Sequence, residues 1–416
     1  MKALFNTINR LITWGERKVR TDLRYILHGG SWLVTGQMVG VAAALLVAMG
    51  YAHFLTKETY GTYKYVISVL GILSLFTLPG MENGAQRGFA QNKDRVFWDT
   101  LKYRLMGGVV ATIICGAIGV YYYAQGNLIL TGVFLACAPF LILMEPLIHY
   151  NTILTGRKLF KQATIYGVIL QLSTSITIFV TVYLTNSIFT LMLVYVSAAV
   201  LFRGALFTYA LRHNTLNNVR DPDSVSYGAH MSFLNMLGTA SSKLDAILLF
   251  HFLGPIPLAI YSFAQAVAMN VQSSFKLVTG ALAFPKFASQ DKKVVKRTLM
   301  RKIYLSHAVT IPIAVMAVIL IPLLYRFLFP QYLESIIYAQ VMTGILAFAP
   351  LRFVSTAIAA LASTKIIYKV NVTAPVLQAI FLLSFVPFFG IWGIIMATIC
   401  QQFIVNIVNV YYFKRM

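Results

Sequence analysis

Charge is scarce in this chain. Only 11 % of its 416 residues are charged, whereas soluble globular domains carry about 25 %. Acidic residues are scarcer still, because 12 Asp and Glu stand against 34 Lys and Arg. Such a low charge content excludes a cytosolic enzyme, a disordered chain and a nucleic-acid-binding domain. The apolar fraction of 58 %, with the cations grouped between long apolar stretches, indicates an integral membrane protein.

Cysteine is also rare, and no common catalytic pattern is present. Cys115, Cys137 and Cys400 lie inside apolar runs, without the spacing of a disulfide framework or a metal site. The chain has no Gly-rich loop with Lys and no His-Glu-x-x-His pattern. We therefore expect neither an ATP-driven pump nor an enzyme, and we expect no cofactor and no metal.

Long apolar runs, by contrast, are abundant. A membrane core requires roughly 20 apolar helical residues for each crossing. Read with that length, the sequence predicts an all-α polytopic membrane protein with about twelve transmembrane helices. The candidate spans are 31–55, 60–82, 104–124, 127–152, 162–184, 187–211, 227–253, 258–284, 302–325, 334–360, 368–389 and 390–412. Very short separators predict antiparallel neighbours, and the last two spans are divided only by Phe388-Phe389-Gly390.

The two halves of the chain resemble each other. At an ungapped offset, His53-Phe54-Leu55 aligns with His251-Phe252-Leu253, and Tyr63 aligns with Tyr261. This register predicts two parallel six-helix bundles around a central cavity, a build that transporters use to bind a substrate between their halves. We assign the N-terminal bundle to 31–211, a cytoplasmic linker to 212–226, the C-terminal bundle to 227–412 and a cytoplasmic tail to 413–416.

The distribution of cations predicts the orientation. In the predicted topology, the loop Lys and Arg fall almost entirely on one side, and the other side keeps only Lys57 and Arg326. The positive-inside rule therefore places both termini in the cytoplasm. Residues 1–30 carry scattered cations and no signal-peptide core, and their apolar residues recur at helical spacing. We expect this segment to lie on the membrane as an amphipathic helix.

Two motifs in the second span carry a family resemblance. They are Tyr60-Gly61-Thr62-Tyr63 and the stretch Leu78-Pro79-Gly80-Met81-Glu82-Asn83-Gly84-Ala85-Gln86-Arg87-Gly88-Phe89-Ala90. With these motifs the chain resembles the oligosaccharide-lipid flippases (O-antigen, Wzx-type) of the multidrug/oligosaccharidyl-lipid/polysaccharide exporter superfamily. The resemblance implies a bacterial inner-membrane protein that moves undecaprenyl-diphosphate-linked oligosaccharide from the cytoplasmic to the periplasmic leaflet through a cationic cavity. It also implies work alongside a polysaccharide polymerase and chain-length machinery in lipopolysaccharide synthesis.

Four cations inside the spans, and Arg87 at the cytoplasmic mouth, are the candidate ligands of the diphosphate. Charges at membrane depth are costly and usually face a partner or a wet cavity. The candidates are Lys243, Arg87, Lys64, Lys276 and Arg352. For Lys243, midway along the seventh span, the alternative is a salt bridge with an acid on another helix. Snorkelling to headgroups is the alternative for Lys64 and Lys276, and ordinary loop charge is the alternative for Arg87.

The remaining polar residues within the spans have two interpretations each. Asp245 and Glu145 either neutralise a cation or take up the proton or sodium ion that drives transport. Arg203 is expected to anchor to headgroups. The candidate sugar ligands are Gln37, Asn235, Asn270 and Gln272. These residues, like Gln171, also suit hydrogen bonds between helices.

Two other functions compete with a flippase. A drug or cation antiporter of the same superfamily would favour acids inside the spans, yet five cations stand there against Asp245 and Glu145. A polysaccharide polymerase or ligase would need a sizeable loop on the periplasmic side. The longest such segment runs only from Arg326 to Leu333. The balance of charge therefore favours an anionic substrate.

Overall fold

The structure is a computed structural model that describes residues 23–278, 287 and 290–415. Those residues form helices and turns and contain no strand. Eight helices among them are long and apolar enough to cross a membrane. A ninth span arises if Lys57–Thr77 and Met81–Ala90, which meet at 49°, are counted as one. The predicted class, an all-α polytopic membrane protein, is confirmed.

The helices follow one another with short connections. The first half contains α1 (Leu23–Phe54), α2 (Lys57–Leu73), α3 (Met81–Ala90), α4 (Val96–Ala124), α5 (Leu128–Cys137), α6 (Leu141–Met144), α7 (Asn151–Gly156), α8 (Phe160–Leu184) and α9 (Ile188–His213). The second half contains α10 (Pro222–Leu253), α11 (Pro255–Val278), α12 (Lys292–Leu328), α13 (Ser335–Gly344), α14 (Arg352–Leu361) and α15 (Thr364–Arg415). Each of the twelve predicted spans overlaps a helical segment of this list.

Prolines break several of the spans. Pro139 and Pro146 each lie in a 3₁₀ turn between α5 and α7, and Pro350 lies in the turn before α14. Proline has no amide hydrogen to donate and its ring crowds the preceding turn, so the helix bends there. The second span breaks at Leu78, which has a left-handed φ of 51°, just before Pro79. These breaks give the spans the curvature that makes room for a cavity.

Some predicted boundaries shift. Helix α1 begins at Leu23, so residues 23–30 belong to the first long helix rather than to a surface segment. The remainder of the predicted amphipathic helix, 1–22, lies outside the described residues. The last two spans form one long helical run that is broken at Gly390, whose φ of 57° suits glycine. This break lies where the sequence predicts the separation of these spans.

The two halves pack within themselves and against each other. In the first half α1 packs on α8 and α4 on α5, and in the second half α10 packs on α15 and α11 on α13. Between the halves, α2 packs on α10 and α11, and α3 packs on α10. Helices α2 and α11 begin at equivalent positions, Lys57 and Pro255, which matches the repeat register of the sequence. The second span is therefore the main contact between the halves.

Candidate binding cavity between the two halves

A cavity of about 550 Å³ opens between the bent second span and α10. It has a size typical of small-molecule sites, which are about 300–1,000 Å³. The lining residues are Pro79, Glu82, Asn83, Leu234, Asn235, Gly238, Thr239 and Asn371. Asn235, a predicted sugar ligand, is therefore in the cavity, and its side chain is exposed. Amide and hydroxyl groups from both halves face this space.

Two lysines lie on the packed helices α2 and α10, beside this cavity. Asn235, Thr239 and Lys243 are spaced four residues apart on α10, so they share one face of that helix. The Lys243 side chain packs against Gly71 of α2, with its Cε 3.0 Å from the position that a Cβ would take there. Lys64 lies two turns earlier on α2, the helix against which Lys243 packs. The packing of α2 on α10 thus places one cation from each half on two adjacent helices.

The Lys64 ammonium also lies over an aromatic ring. Its Nζ is 5.5 Å from the ring centroid of Tyr60, one turn away on the same helix. Among the described residues, neither Lys64 nor Lys243 lies within salt-bridge distance of a carboxylate. Their positive charges are therefore available to an anionic ligand. The alternative of a salt bridge between Lys243 and an acid on another helix is not realised there.

Asp245 is buried and held by α11. Its Oδ2 accepts hydrogen bonds from the Tyr261 hydroxyl, at 2.5 Å, and from the Gln265 amide, at 2.9 Å. The side chain is only 8 % exposed. These bonds join α10 to α11, so the described contacts give Asp245 a structural role. Its predicted role in ion coupling stays a prediction.

Glu145 is paired inside the first half. Its Oε1 accepts from Arg203 Nη1 at 3.0 Å, and the same guanidinium donates to the Met144 carbonyl. Arg203 is only 16 % exposed, so the expectation that it anchors to headgroups is wrong. The packing of α9 against the broken fourth span turns this arginine inward. Of the two interpretations of Glu145, the described contacts show the one in which it neutralises a cation.

Two of the other predicted cations, Arg87 and Arg352, lie away from the two lysines. Arg87 is exposed, and its guanidinium lies 5.2 Å from the ring centroid of Tyr227 on α10. Arg352 lines a different pocket, inside the second half. Lys276 belongs to α11, but its side chain lies outside the described residues. Of the five cations that were expected to converge, Arg87 and Arg352 therefore lie apart from Lys64 and Lys243.

The remaining amide candidates are dispersed. Gln37 is exposed on α1, and Asn270 and Gln272 have side chains outside the described residues. Gln171 donates to the Gly40 carbonyl at 2.9 Å and so joins α8 to α1. That bond matches the interhelical alternative. Of the four predicted sugar ligands, Asn235 is the one that lines the described cavity.

Sequence reasoning missed several polar residues of the site. Thr239 and Asn371 line the cavity together with Asn83 of the family motif, and neither of the first two stood out in the sequence. Arg104, at the start of the predicted span 104–124, lies two turns inside α4 and is fully buried. It donates to Glu82 Oε1 at 2.5 Å and to the Glu145 carbonyl at 2.9 Å. The signal in the sequence was the stretch from Val96 that precedes the apolar run, because it extends α4 and so places Arg104 inside the helix.

The two halves are in contact at the end of the molecule where residues 55–57, 185–187, 254 and 329–334 lie, here called the hairpin end. Lys57 Nζ forms a salt bridge with Glu334 Oε1 at 3.1 Å across the halves. Tyr60 packs its ring on Phe263 and Tyr332. At Gly61, a Cβ would lie 1.9 Å from the Pro255 carbonyl oxygen, so only glycine allows this approach. These contacts between the halves therefore close the cavity toward the hairpin end.

Loops at 91–95, 157–159 and 214–221 form the opposite, basic end. Asp94 binds Arg157 Nη2 at 2.7 Å and accepts from the Asn217 backbone amide. Lys93 pairs with Asp221 in the linker between the halves, and the Ser224 hydroxyl lowers the pKa of that carboxyl. These contacts therefore bind the predicted linker to the first half.

Comparisons with known proteins agree with this architecture. Residues 26–291 match the family described as polysaccharide biosynthesis protein. An uncharacterized membrane protein of Methanocaldococcus jannaschii is 22 % identical over 94 % of this chain and 84 % of its own length.

Solved structures of two transporters share the fold. An outward-facing multidrug resistance MATE family transporter of the MOP superfamily is 16 % identical, with a TM-score of 0.61, over 93 % of this chain and 94 % of its own. The lipid II flippase MurJ, in an inward closed conformation, is 14 % identical, with a TM-score of 0.64, over 93 % of this chain and 87 % of its own. Because these identities are low, they show the fold alone. The chain belongs to the polysaccharide biosynthesis protein family, and it is a multi-pass membrane protein with a fold shared by MATE transporters and MurJ.

Proposed function

We propose that the protein is a flippase for undecaprenyl-diphosphate-linked oligosaccharides. One observation supports the proposal: Lys243 of α10 packs against α2, the helix that carries Lys64, and these two helices adjoin a cavity lined by amide and hydroxyl groups. Two ammonium groups without a bound carboxylate suit a diphosphate, because charge-assisted hydrogen bonds to phosphate oxygens are strong. A ligand of this charge also offsets the cost of holding two lysines at membrane depth.

The neutral part of the cavity suits the sugars. Asn83, Asn235 and Thr239 offer both donors and acceptors, as sugar hydroxyls do. Arg87, exposed near the basic end, is placed to meet the diphosphate first. In this proposal the diphosphate passes from Arg87 to the paired lysines while the prenyl chain stays in lipid.

Alternating access supplies the mechanism. The substrate is held between the halves, which rock against each other around it. In the conformation described here the hairpin end is held together by Lys57–Glu334 and by the contacts of Tyr60. Release toward that end therefore requires these contacts to part. The salt bridge is exposed enough to break at low cost, since surface ion pairs contribute about 0–1 kcal/mol.

The cellular setting is part of the same proposal. The basic end faces the cytoplasm of a bacterium, both termini lie there, and the oligosaccharide emerges on the periplasmic side of the inner membrane. It is then taken by a polymerase with chain-length machinery, as in O-antigen synthesis. A proton or sodium ion bound near Asp245 is the candidate driving ion, because Asp245 is a buried acid on α10, two residues after Lys243.

A drug or cation antiporter remains the competing function, since such transporters share the fold. A cationic substrate would need free carboxylates in the cavity. The acids in question are engaged elsewhere, Glu145 by Arg203 and Asp245 by Tyr261 and Gln265. Glu82 lines the cavity but is paired with Arg104. The balance of charge therefore favours an anionic substrate.

Flipping in proteoliposomes tests the proposal. The full chain is reconstituted with undecaprenyl-diphosphate carrying a fluorescent sugar, and a membrane-impermeant quencher reports the movement between leaflets. Protein-containing vesicles are expected to flip the lipid, and Lys243→Ala is expected to slow flipping by about tenfold or more, because one charged hydrogen bond is worth about 1.5–3 kcal/mol.

The matched control removes a cation away from the cavity. Arg326→Ala changes the net charge equally at an exposed position on α12 and is expected to keep the wild-type rate. Wild-type vesicles that flip no faster than empty vesicles would refute the flippase. An unchanged rate in Lys243→Ala would remove the lysine pair from the mechanism, and uptake of an organic cation instead of lipid flipping would favour the antiporter.

A further inference from the structure

A second cavity lies inside the second half. It has a volume of about 370 Å³ and is bounded by the 3₁₀ turn Ile345–Leu351, by α14 and by both arms of α15. Polar side chains make up about half of its lining: Arg352, Ser355, Asn371, Gln401, Gln402 and Asn406, together with Asn409. A polar pocket of this kind is unusual at membrane depth, where uncompensated polar groups are costly.

The pocket holds a cation but no acid. Arg352 is the charged residue among its described lining residues. From residue 292 to residue 415 the sequence contains a single acid, Glu334, which lies at the hairpin end and is paired with Lys57. Among the described residues Arg352 lies within salt-bridge distance of no carboxylate. A half-buried guanidinium without a counter-charge points to an anionic ligand.

The amides define the rest of the ligand. Asn371, Gln402 and Asn406 offer donors and acceptors in the same space, which is the pattern that vicinal hydroxyl groups satisfy. Asn409 is 3 % exposed, and its Oδ1 has no hydrogen-bond partner. A buried amide oxygen without a partner costs free energy unless a ligand or water supplies a donor. The ligand must therefore carry hydroxyl groups as well as negative charge.

The charge of the ligand follows from the number of cations. One guanidinium binds one carboxylate through two parallel hydrogen bonds. A diphosphate carries more negative charge and suits the paired lysines better than this single arginine. The volume exceeds what a simple inorganic ion requires, and five amide side chains would have no use in holding such an ion. An acidic sugar satisfies all of these requirements.

The pocket connects with the central cavity. Asn371 lines both, so it stands where the two spaces adjoin. A sugar chain attached to a diphosphate near Lys243 has the cavity beside α10 and then this pocket in its path. The pocket is thus a branch of the proposed substrate path rather than an isolated void.

We infer that this pocket binds a carboxylate-bearing sugar of the hexuronic acid type, with Arg352 holding the carboxylate and the amides holding the hydroxyl groups. The inference rests on the proposed function, because it assumes that an oligosaccharide enters the cavity. Arg352 then sets specificity: it selects repeat units that contain an acidic sugar over neutral ones.

Binding of single sugars tests the pocket directly. The purified full chain in detergent is titrated with D-glucuronate, D-glucose and sodium chloride, and the thermal unfolding midpoint is followed at constant ionic strength. Glucuronate is expected to raise the midpoint more than glucose or chloride. In Arg352→Gln the apparent affinity for glucuronate is expected to fall by about tenfold to a hundredfold, as the loss of a charged hydrogen-bonded pair implies. Arg326→Gln, a cation exposed on α12, is the matched control and is expected to respond as the wild type does.

Three outcomes overturn the inference: chloride stabilising as strongly as glucuronate, glucose doing so, or Arg352→Gln keeping the full response. Flipping assays separate this inference from the proposed function. Arg352→Gln is expected to slow the lipid with an acidic repeat unit and to leave a neutral one unchanged. Equal slowing of both lipids would refute the specificity role while leaving the flippase intact.

Discussion

At the scale of single residues, burial decides which charges matter for stability. Arg104 is fully buried, and its guanidinium is held by Glu82, whose side chain is 37 % exposed. Removing either partner leaves the other charge unpaired, but the two charges differ in hydration. Without Arg104, the Glu82 carboxylate still contacts water, whereas without Glu82 the Arg104 guanidinium does not.

We accordingly predict an asymmetry between two substitutions. Glu82→Ala leaves a buried arginine short of its counter-charge and is expected to lower the free energy of unfolding by about 3–5 kcal/mol. Arg104→Met leaves a partly hydrated carboxylate and is expected to cost less. Thermal unfolding of the purified variants measures both. Asp99→Ala, which breaks the more exposed pair with Arg95 at 3.8 Å, serves as the control and is expected to have little effect. Equal costs for Glu82→Ala and Asp99→Ala would contradict the role of burial.

The same scale shows where sequence reasoning succeeds and fails for the candidate site. Counting along a helix placed Lys243 about midway along its helix, and the same counting identified Lys64 as a candidate. That these two lysines lie on helices that pack together could not be predicted, because the contact joins residues far apart in the chain. Arg203 was misjudged for the same reason: its partner Glu145 is 58 positions away in the chain.

At the scale of elements, the motif after Leu78 has a packing function. A Cβ at Gly84 would lie 2.3 Å from the Ser224 carbonyl oxygen, and a Cβ at Gly80 would lie 2.2 Å from the Ser232 amide nitrogen. Helices α3 and α10 therefore touch backbone to backbone. The motif that carries the family resemblance thus builds the contact between the halves next to the cavity.

Gly84→Ala is expected to lower the free energy of unfolding by about 1–3 kcal/mol, because the added methyl group overpacks a contact between two backbones. Gly116→Ala is the matched control, since a Cβ there meets nothing within 4 Å. In the interior of α4 the control is expected to be neutral or to stabilise by up to about 1 kcal/mol. Unfolding midpoints measured in one detergent compare the two variants. If Gly84→Ala is as stable as Gly116→Ala, the close packing of α3 on α10 is wrong.

At the scale of the whole molecule, the halves are joined on one side by the second span and held at the hairpin end by Lys57–Glu334. Alternating access requires the hairpin end to open. A cross-link there is expected to trap the protein with this end closed.

We predict that Lys57→Cys with Glu334→Cys, joined by a short bis-methanethiosulfonate reagent that forms a disulfide with each cysteine, stops flipping in proteoliposomes and that reduction of these disulfides restores it. The native Cys400, which is partly exposed, is replaced by Ser in all variants, while Cys115 and Cys137 are buried. Each single cysteine variant treated with the same reagent is the control and is expected to keep its rate. Undiminished flipping in the cross-linked protein would show that the hairpin end does not open during transport.

Apolar periodicity and length were enough to predict the helical class and the presence of many long apolar helices, because a bilayer demands runs of about 20 apolar residues from any sequence. The repeat also lay in the sequence, and α2 and α11 start in that register. Partners of the polar side chains came only from packing: Lys64 beside Lys243, Arg203 on Glu145, and Arg352 in a pocket of its own. The rotation of each helix about its axis selects these partners, and that rotation depends on contacts between residues far apart in the chain.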